Sequence, residues 1–247
     1  MKKAVILSMV FLLFGFAGQA QTKQSSFRSS DTKIDIENLA DPEVVLLFDD
    51  FKPAAVYYPD NRLVQMRVNY RLLADEMIID DGTGNYKSLA TGRRFDSIHV
   101  HNMVIVHDSN FGFLEKLEYP NITFYVKHQS LYVMNEIRPG AYGEAPASAS
   151  TQNVNVPAAL PSGAAHSDQI VLTNTSNNPM QVIVTRKPLL GIIEDNDFVT
   201  FANRRQFSRH FREYGSEIRG FIRQEGIRFD QVEDMKKLAA FTSSLKE

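Results

Sequence analysis

The 247-residue chain contains no cysteine. That excludes disulfides, thiolate metal ligands, a thiol nucleophile and the lipidated cysteine of a bacterial lipoprotein, so no lipid anchor is expected. A second long apolar run is also missing. After the first twenty residues no stretch approaches the ~20 apolar residues that a membrane-spanning helix needs. Charge of one sign is not in excess either. Lys and Arg number 27 against 29 Asp and Glu, a net −2, with both signs mixed along the chain. This gives no electrostatic case for nucleic acid or for an anionic membrane. The G-x-S-x-G elbow, the H-E-x-x-H helix, the phosphate-cradling glycine loop and the dinucleotide fingerprint are absent, and no cofactor is implied.

What is present begins with an address. Lys2 and Lys3 precede an apolar run from Ala4 to Phe16 and a small-residue exit at Gly18-Gln19-Ala20, the pattern of a cleavable secretory signal peptide over residues 1–20. Removing 20 residues from 247 leaves 227, enough to bury a core without disulfides. The expected location is a bacterial periplasm or the exterior. Residues 21–42 are polar and weakly patterned and read as a flexible lead-in.

Residues 43–137 read as an antiparallel β domain. Val44 to Phe48 is a short apolar run suited to a strand buried on both faces. In Leu63 to Tyr70 the alternation is clean, with Val64, Met66, Val68 and Tyr70 on one side and Gln65, Arg67 and Asn69 on the other. Asp80 to Asn85 is a strong hairpin signal. Ile98 to His107 is a long β-rich run with a fold-back at Asn102, and Phe113–Leu117, Ile122–His128 and Leu131–Ile137 follow. The spacing predicts a mainly β, α+β architecture: an antiparallel meander, sandwich or barrel-like, with C-terminal helices packed on it.

Residues 138–179 are rich in Ala, Ser, Pro, Asn and Gly and read as a mobile low-complexity insert, in which only Ile170 to Leu172 resembles a strand. Strands return at Met180–Arg186, Leu189–Ile193 and Phe198–Ala202. The remainder turns helical, with Phe207, Phe211 and Tyr214 on a first helix capped by Asn203. Ser216 is placed to cap a second helix. Asp230 with Glu233 makes a capping-box start for a third, whose inner residues are Met235, Leu238 and Ala239.

The stretch DDFKPAAVYYPDNRLVQMRVNYRLLADEMIID resembles the opening of a group of secreted proteins of unknown function from Gram-negative bacteria, in which an F-x-x-G-x-V strand is followed by a turn, an NY strand and an acidic DEM step. The likeness continues at GFLEKL, RPGAYG and FIRQEGIRFDQVEDMKKLAAF. Ala54-Ala55 stands where the group carries a glycine. The resemblance implies export and architecture and assigns no catalytic residue.

Three kinds of site follow from residue type. His99, His101 and, after a fold-back, His107 would supply imidazoles to a metal, although Ile98 and Val100 claim the core face and leave the first two toward solvent. Tyr57, Tyr70 and Tyr125 stand for the tyrosines that would stack on a sugar or another ligand from a sheet face. The acids Asp49, Asp50, Asp75 and Glu76 would serve a hydrolase only if two faced each other across a cleft. The loop Asp80–Asn85 and the acids Glu194, Asp195 and Asp197 lack the spacing of a calcium loop and read as turns. Arg204, Arg205, Arg209 and Arg212 read as the solvated face of the first helix. The function expected is non-enzymatic binding or scaffolding in the bacterial cell envelope, with an envelope protein or glycan as partner. A hydrolase of an envelope polymer and a metal-binding module are the alternatives.

Overall fold

The computed structural model describes residues 22–83, 86–89, 95–137, 151–152, 171–175 and 178–246. The expected signal peptide lies outside these residues, as does most of the expected mobile insert.

The elements run β1 (Gln24–Ser29), β2 (Lys33–Asp35), α1 (Ile36–Leu39), α2 (Pro42–Val45), β3 (Lys52–Tyr57), β4 (Leu63–Arg71), β5 (Glu76–Asp80), β6 (Tyr86–Ser88), β7 (Ser97–Val100), β8 (Met103–Asp108), β9 (Gly112–Tyr119), β10 (Ile122–Lys127) and β11 (Ser130–Glu136). They continue with β12 (Thr151–Gln152), β13 (Val171–Thr173), β14 (Met180–Arg186), β15 (Leu189–Glu194), β16 (Asp197–Phe201), α3 (Arg204–His210), α4 (Gly215–Gln224) and α5 (Val232–Ser244).

Ten strands form one antiparallel sheet in the order β16-β15-β10-β9-β8-β7-β3-β4-β5-β6. A four-stranded sheet, β1-β14-β11-β12, and the pair β13-β2 complete the β structure. The large sheet curls. Four strand spacings separate β4 from β9, about 19 Å if the sheet were flat, yet the rings of Tyr70 and Phe113 lie 5.6 Å apart. The curl does not close into a barrel, and β16 and β6 remain as edges.

Three apolar cores follow. One fills the curl, with Val56, Val68, Tyr70, Met77, Ile98 and Phe113. A second lies between the C-terminal helices and β10, β15 and β16, where Phe124, Leu190 and Phe201 meet Phe207, Ile218, Met235 and Leu238. The third joins α1 and α2 to the four-stranded sheet. The inward residues of α5 are the expected Met235, Leu238 and Ala239. Arg204, Arg205, Arg209 and Arg212 are exposed, as the helical pattern requires.

Four expectations are corrected. The flexible lead-in is ordered: β1 pairs with β14 along six residues, and Ile34 and Ile36 are fully buried. Its sequence, QSSFRS, hides this because β1 lies at the edge of its sheet and takes its order from main-chain bonds. Val44–Phe48 is not a strand buried on both faces. Pro42 starts α2, and Leu46 makes only a single bridge to Arg71. Ser216 does not cap α4, which begins one residue earlier at Gly215; its hydroxyl goes to Glu217. Asp230 does not cap α5 but holds Arg228 and Thr22. Within the expected insert, Thr151–Gln152 pairs with β11 and Val171–Thr173 with β2.

Candidate functional site

The pleat sorts every strand residue to one of two faces. On the outer face the register aligns Gln65, Ala55, His99, Val104, Lys116, Tyr125, Gly191 and Thr200 in one row across eight strands. A second outer row runs Pro53, Arg67, Asp80, Tyr86. Tyr57 stands outward at the end of β3, opposite Leu63 and Ser97.

These positions make an outer strip that runs from Tyr57 and Leu63 at one end of β3 and β4 to Phe51 and, across on β6, Tyr86 at the other. Phe51 stacks on Tyr86 at one end, with centroids 4.8 Å apart, and Tyr57 packs against His99 at the other, 4.5 Å apart. Pro53 and Ala55 lie between them and keep the surface low. Phe51 to Tyr57 is six residue steps, about 20 Å if extended throughout. Tyr57, Leu63 and Tyr86 are 39%, 48% and 63% exposed, and they are three of the four large apolar side chains that stand out into solvent among the described residues. Singly exposed apolar residues are ordinary; a group of them on one strip is not.

The tyrosines expected to share a face do not all do so. Tyr57 is on the strip. Tyr125 is on the same face, but four strands away from β3. Tyr70 points inward and is 2% exposed, so it cannot stack on a ligand at the surface. Burial and the neighbouring Asp75 carboxylate both push its phenol well above the ordinary range.

The three histidines also separate. His99 stands on the outer face and meets the Ser97 hydroxyl at 3.1 Å. His101 sits in the two-residue turn between β7 and β8 with φ +52°. The chain does fold back there, but His99 pairs with Val104, so His107, three residues further on, faces the other way, against Phe113 and Phe95. Burial pulls the pKa of His107 down. Among the described residues, no three His, Asp or Glu side chains converge as a metal site.

Of the four carboxylates named for hydrolysis, Asp49 and Asp50 are exposed beside one another ahead of β3, and Asp75 and Glu76 serve the fold. Asp75 sits in the β4–β5 turn with φ +53° and accepts the Tyr70 hydroxyl and the Phe113 N–H, while Lys127 donates to it at 2.8 Å and to the Phe111 carbonyl at 2.5 Å. Glu76 and Glu37 both hold Arg71, whose side chain is only 12% exposed. The amide of Asn69 bonds both the N–H and the C=O of Phe48, in the manner of a strand neighbour. The run Asn69-Tyr70-Arg71 therefore ties down three separate segments. Asp80 accepts the Gly82 N–H of its own turn and a hydrogen bond from Arg67, and hydrogen bonds from Thr83 and Lys87 hold the pKa of Asp81 down at about 2.

One charged group escapes sequence reasoning entirely. The inner row across eight strands reads Val64, Val56, Ile98, Ile105, Glu115, Val126, Leu190, Phe201. Glu115 is the lone charge in it, and its side chain is 1% exposed. Lys236 reaches it from α5 at 2.7 Å, and His128 meets its other oxygen at 2.7 Å. Neutral His128 donates from Nε2, which leaves Nδ1 as a buried acceptor with no partner. Burial drives the His128 pKa down. For Glu115, burial raises the pKa, but the opposing hydrogen bonds and charges of His128 and Lys236 outweigh it and the net shift is downward. The signal was local: GFLEKLEY puts Glu115 at the same parity as Phe113 and Leu117.

Among the described residues, no helix is long and apolar enough to cross a membrane. Comparison with protein-family models, with curated proteins and with solved structures gives no match.

Proposed function

We propose that the chain is an exported protein of the bacterial cell envelope that acts by binding, and that the outer strip from Tyr57 and Leu63 to Phe51 and Tyr86 is its contact surface. Export rests on the basic start, short apolar run and small-residue exit of the first twenty residues. Binding rests on one observation, that among the described residues three of the four exposed large apolar side chains, Tyr57, Leu63 and Tyr86, stand on one face of the large sheet.

The geometry gives hydrolysis no comparable support. Asp75 and Glu76 are each engaged by a cation. Glu115 and His128 are sealed in the interior. A mixed-charge cleft of about 380 Å³ between the β14–β15 connection and the α4–α5 loop has Asp230 as its single acid, and Arg228 already holds that acid.

The test is co-sedimentation of the processed protein with an isolated envelope fraction. The expected result is sedimentation of the wild-type chain and its loss in Tyr57→Ala and Tyr86→Ala. Equal sedimentation of both variants would remove the strip from the account.

A further inference from the structure

The N-terminal strand leads the chain toward the cleft between the β14–β15 connection and the α4–α5 loop. Traced backward, β1 runs along β14 in one unbroken register, from Ser29 opposite Met180 to Gln24 opposite Thr185. Lys23 continues it. Its carbonyl accepts the Arg186 N–H at 3.0 Å, and its ammonium holds Glu43 at 3.2 Å. One step further, the Thr22 hydroxyl donates to the Asp230 carboxylate at 2.5 Å, a bond between residues 208 positions apart.

Pro188 ends this pairing. Main-chain bonds between antiparallel strands fall on alternate residues. After Arg186, the next N–H needed is that of residue 188, and proline has none. The ladder stops, and the chain before Thr22 leaves the strand at the mouth of the cleft. Asp230, which holds Thr22, lines that cleft together with Lys187, Pro188, Leu189 and Phe229.

The expected leader cleavage after Ala20 makes Gln21, which lies outside the described residues, the first residue of the exported chain. We infer that this new N-terminal residue is the occupant of the cleft and that it fastens the α4–α5 loop to the end of β14. The inference rests on the reading that the chain is exported and processed. The same register that sets Gln24 opposite Thr185 brings residue 21 level with Pro188.

The cleft suits that occupant. Its volume of about 380 Å³ is at the small end of ligand sites and matches a terminal residue rather than a chain passing through. Pro188, Leu189 and Phe229 offer apolar surface to the methylenes of a glutamine. Lys187 can donate to its amide oxygen, and Asp230 can accept from its amide N–H. The unprocessed chain carries the leader, with its apolar run from Ala4 to Phe16, directly before Gln21 and has to lead it out between the same walls. Cleavage is therefore the step that lets the contact form, and the precursor has the looser helical cover.

The experiment measures hydrogen exchange at the amides of Ile227, Arg228 and Gln231, which are hydrogen-bonded in and beside the α4–α5 loop. Three exported proteins are compared: the natural chain, Gln21→Gly, and a chain with Gly-Ser-Gly-Ser inserted after Ala20, which cleavage leaves as an extension. Intact mass establishes where each begins. The expected result is exchange about tenfold faster with the extension and about threefold faster in Gln21→Gly, with β4 and β5 unchanged in both. Equal exchange in all three chains would overturn the seating and leave the cleft to an outside ligand. A natural chain that begins elsewhere than Gln21 would overturn the processing site and the seating with it; one that begins at Gln21 with equal exchange overturns the seating alone.

Discussion

Lys236 of α5 ends 2.7 Å from Glu115, the single carboxylate in an inner row otherwise made of Val, Ile, Leu and Phe. The bond fixes the helical cover to the middle of the sheet, where the core under the helices meets the core inside the curl. Breaking a buried pair leaves a charge uncompensated and typically costs about 3–5 kcal/mol. Lys236→Met is expected to lower stability by that order, read as a shift in the urea midpoint. A shift below about 1 kcal/mol would mean that the pair is not what holds α5 down.

How much of this is legible in the sequence differs by level. The clean alternation in Leu63–Tyr70 is enough to assign the faces of β4, because a half-buried strand has a period of two. The inward stripe of α5 is equally readable. Strand order is not, because pairing is a long-range fact: β3 lies beside β7 as well as β4, and β1 joins β14 from the far end of the chain. Tyr70 and Asp75 appear in the sequence as a candidate binding residue and a candidate acid. They are each other's partners because the hairpin brings them together. The sequence treats Tyr57 and Tyr70 alike as face tyrosines, and only the register puts Tyr57 outside and Tyr70 inside; Tyr86 gains meaning only from the Phe51 ring stacked on it.

Stability should fall in acid in two steps. Burial lowers the pKa of His128 from its ordinary 6.5. The unfolded chain therefore binds more protons than the native one just below pH 6.5, and stability drops as pH falls from there toward the native value. Glu115, held below its ordinary 4.5, adds a second loss as pH falls through 4.5 and then through its lower native value. A melting-temperature series against pH is expected to decline from neutral pH, with a flatter slope just below pH 6.5 in His128→Gln. An unchanged slope would place the first step elsewhere.

Asp75 fastens the β4–β5 hairpin to the β8–β9 turn and to Lys127, and Gly112 makes the fit possible. Gly112 has φ +74°, and a Cβ there would run into the Asp75 carboxylate. Gly112→Ala is expected to cost about 2 kcal/mol or more, from left-handed strain together with the collision. Asp75→Asn keeps a residue that tolerates positive φ but removes the charge facing Lys127. It is expected to cost about 2–3 kcal/mol, less than a fully buried pair because the Asp75 side chain is 27% exposed. Chemical denaturation of both variants checks this, and two near-neutral results would show that the curl needs no such fastening.

His99 and His101 are expected to have no part in metal binding, since among the described residues no third ligand converges on them and His107 faces away. Zinc content of tag-free protein should be the same in wild type and in the double variant His99→Ala, His101→Ala. A stoichiometric metal lost in the variant would contradict the geometry.

The account's central claim is that Tyr57 and Tyr86 are exposed in order to be covered. Their removal should change stability by no more than about 0.5 kcal/mol, as for other surface side chains. The most direct measurement is oxidative footprinting of the processed protein, free and bound to the envelope fraction, with modification read at each tyrosine. The account predicts that Tyr57 and Tyr86 become protected together on binding while the buried Tyr70 stays unreactive in both states. Protection elsewhere with Tyr57 and Tyr86 still fully reactive would contradict it.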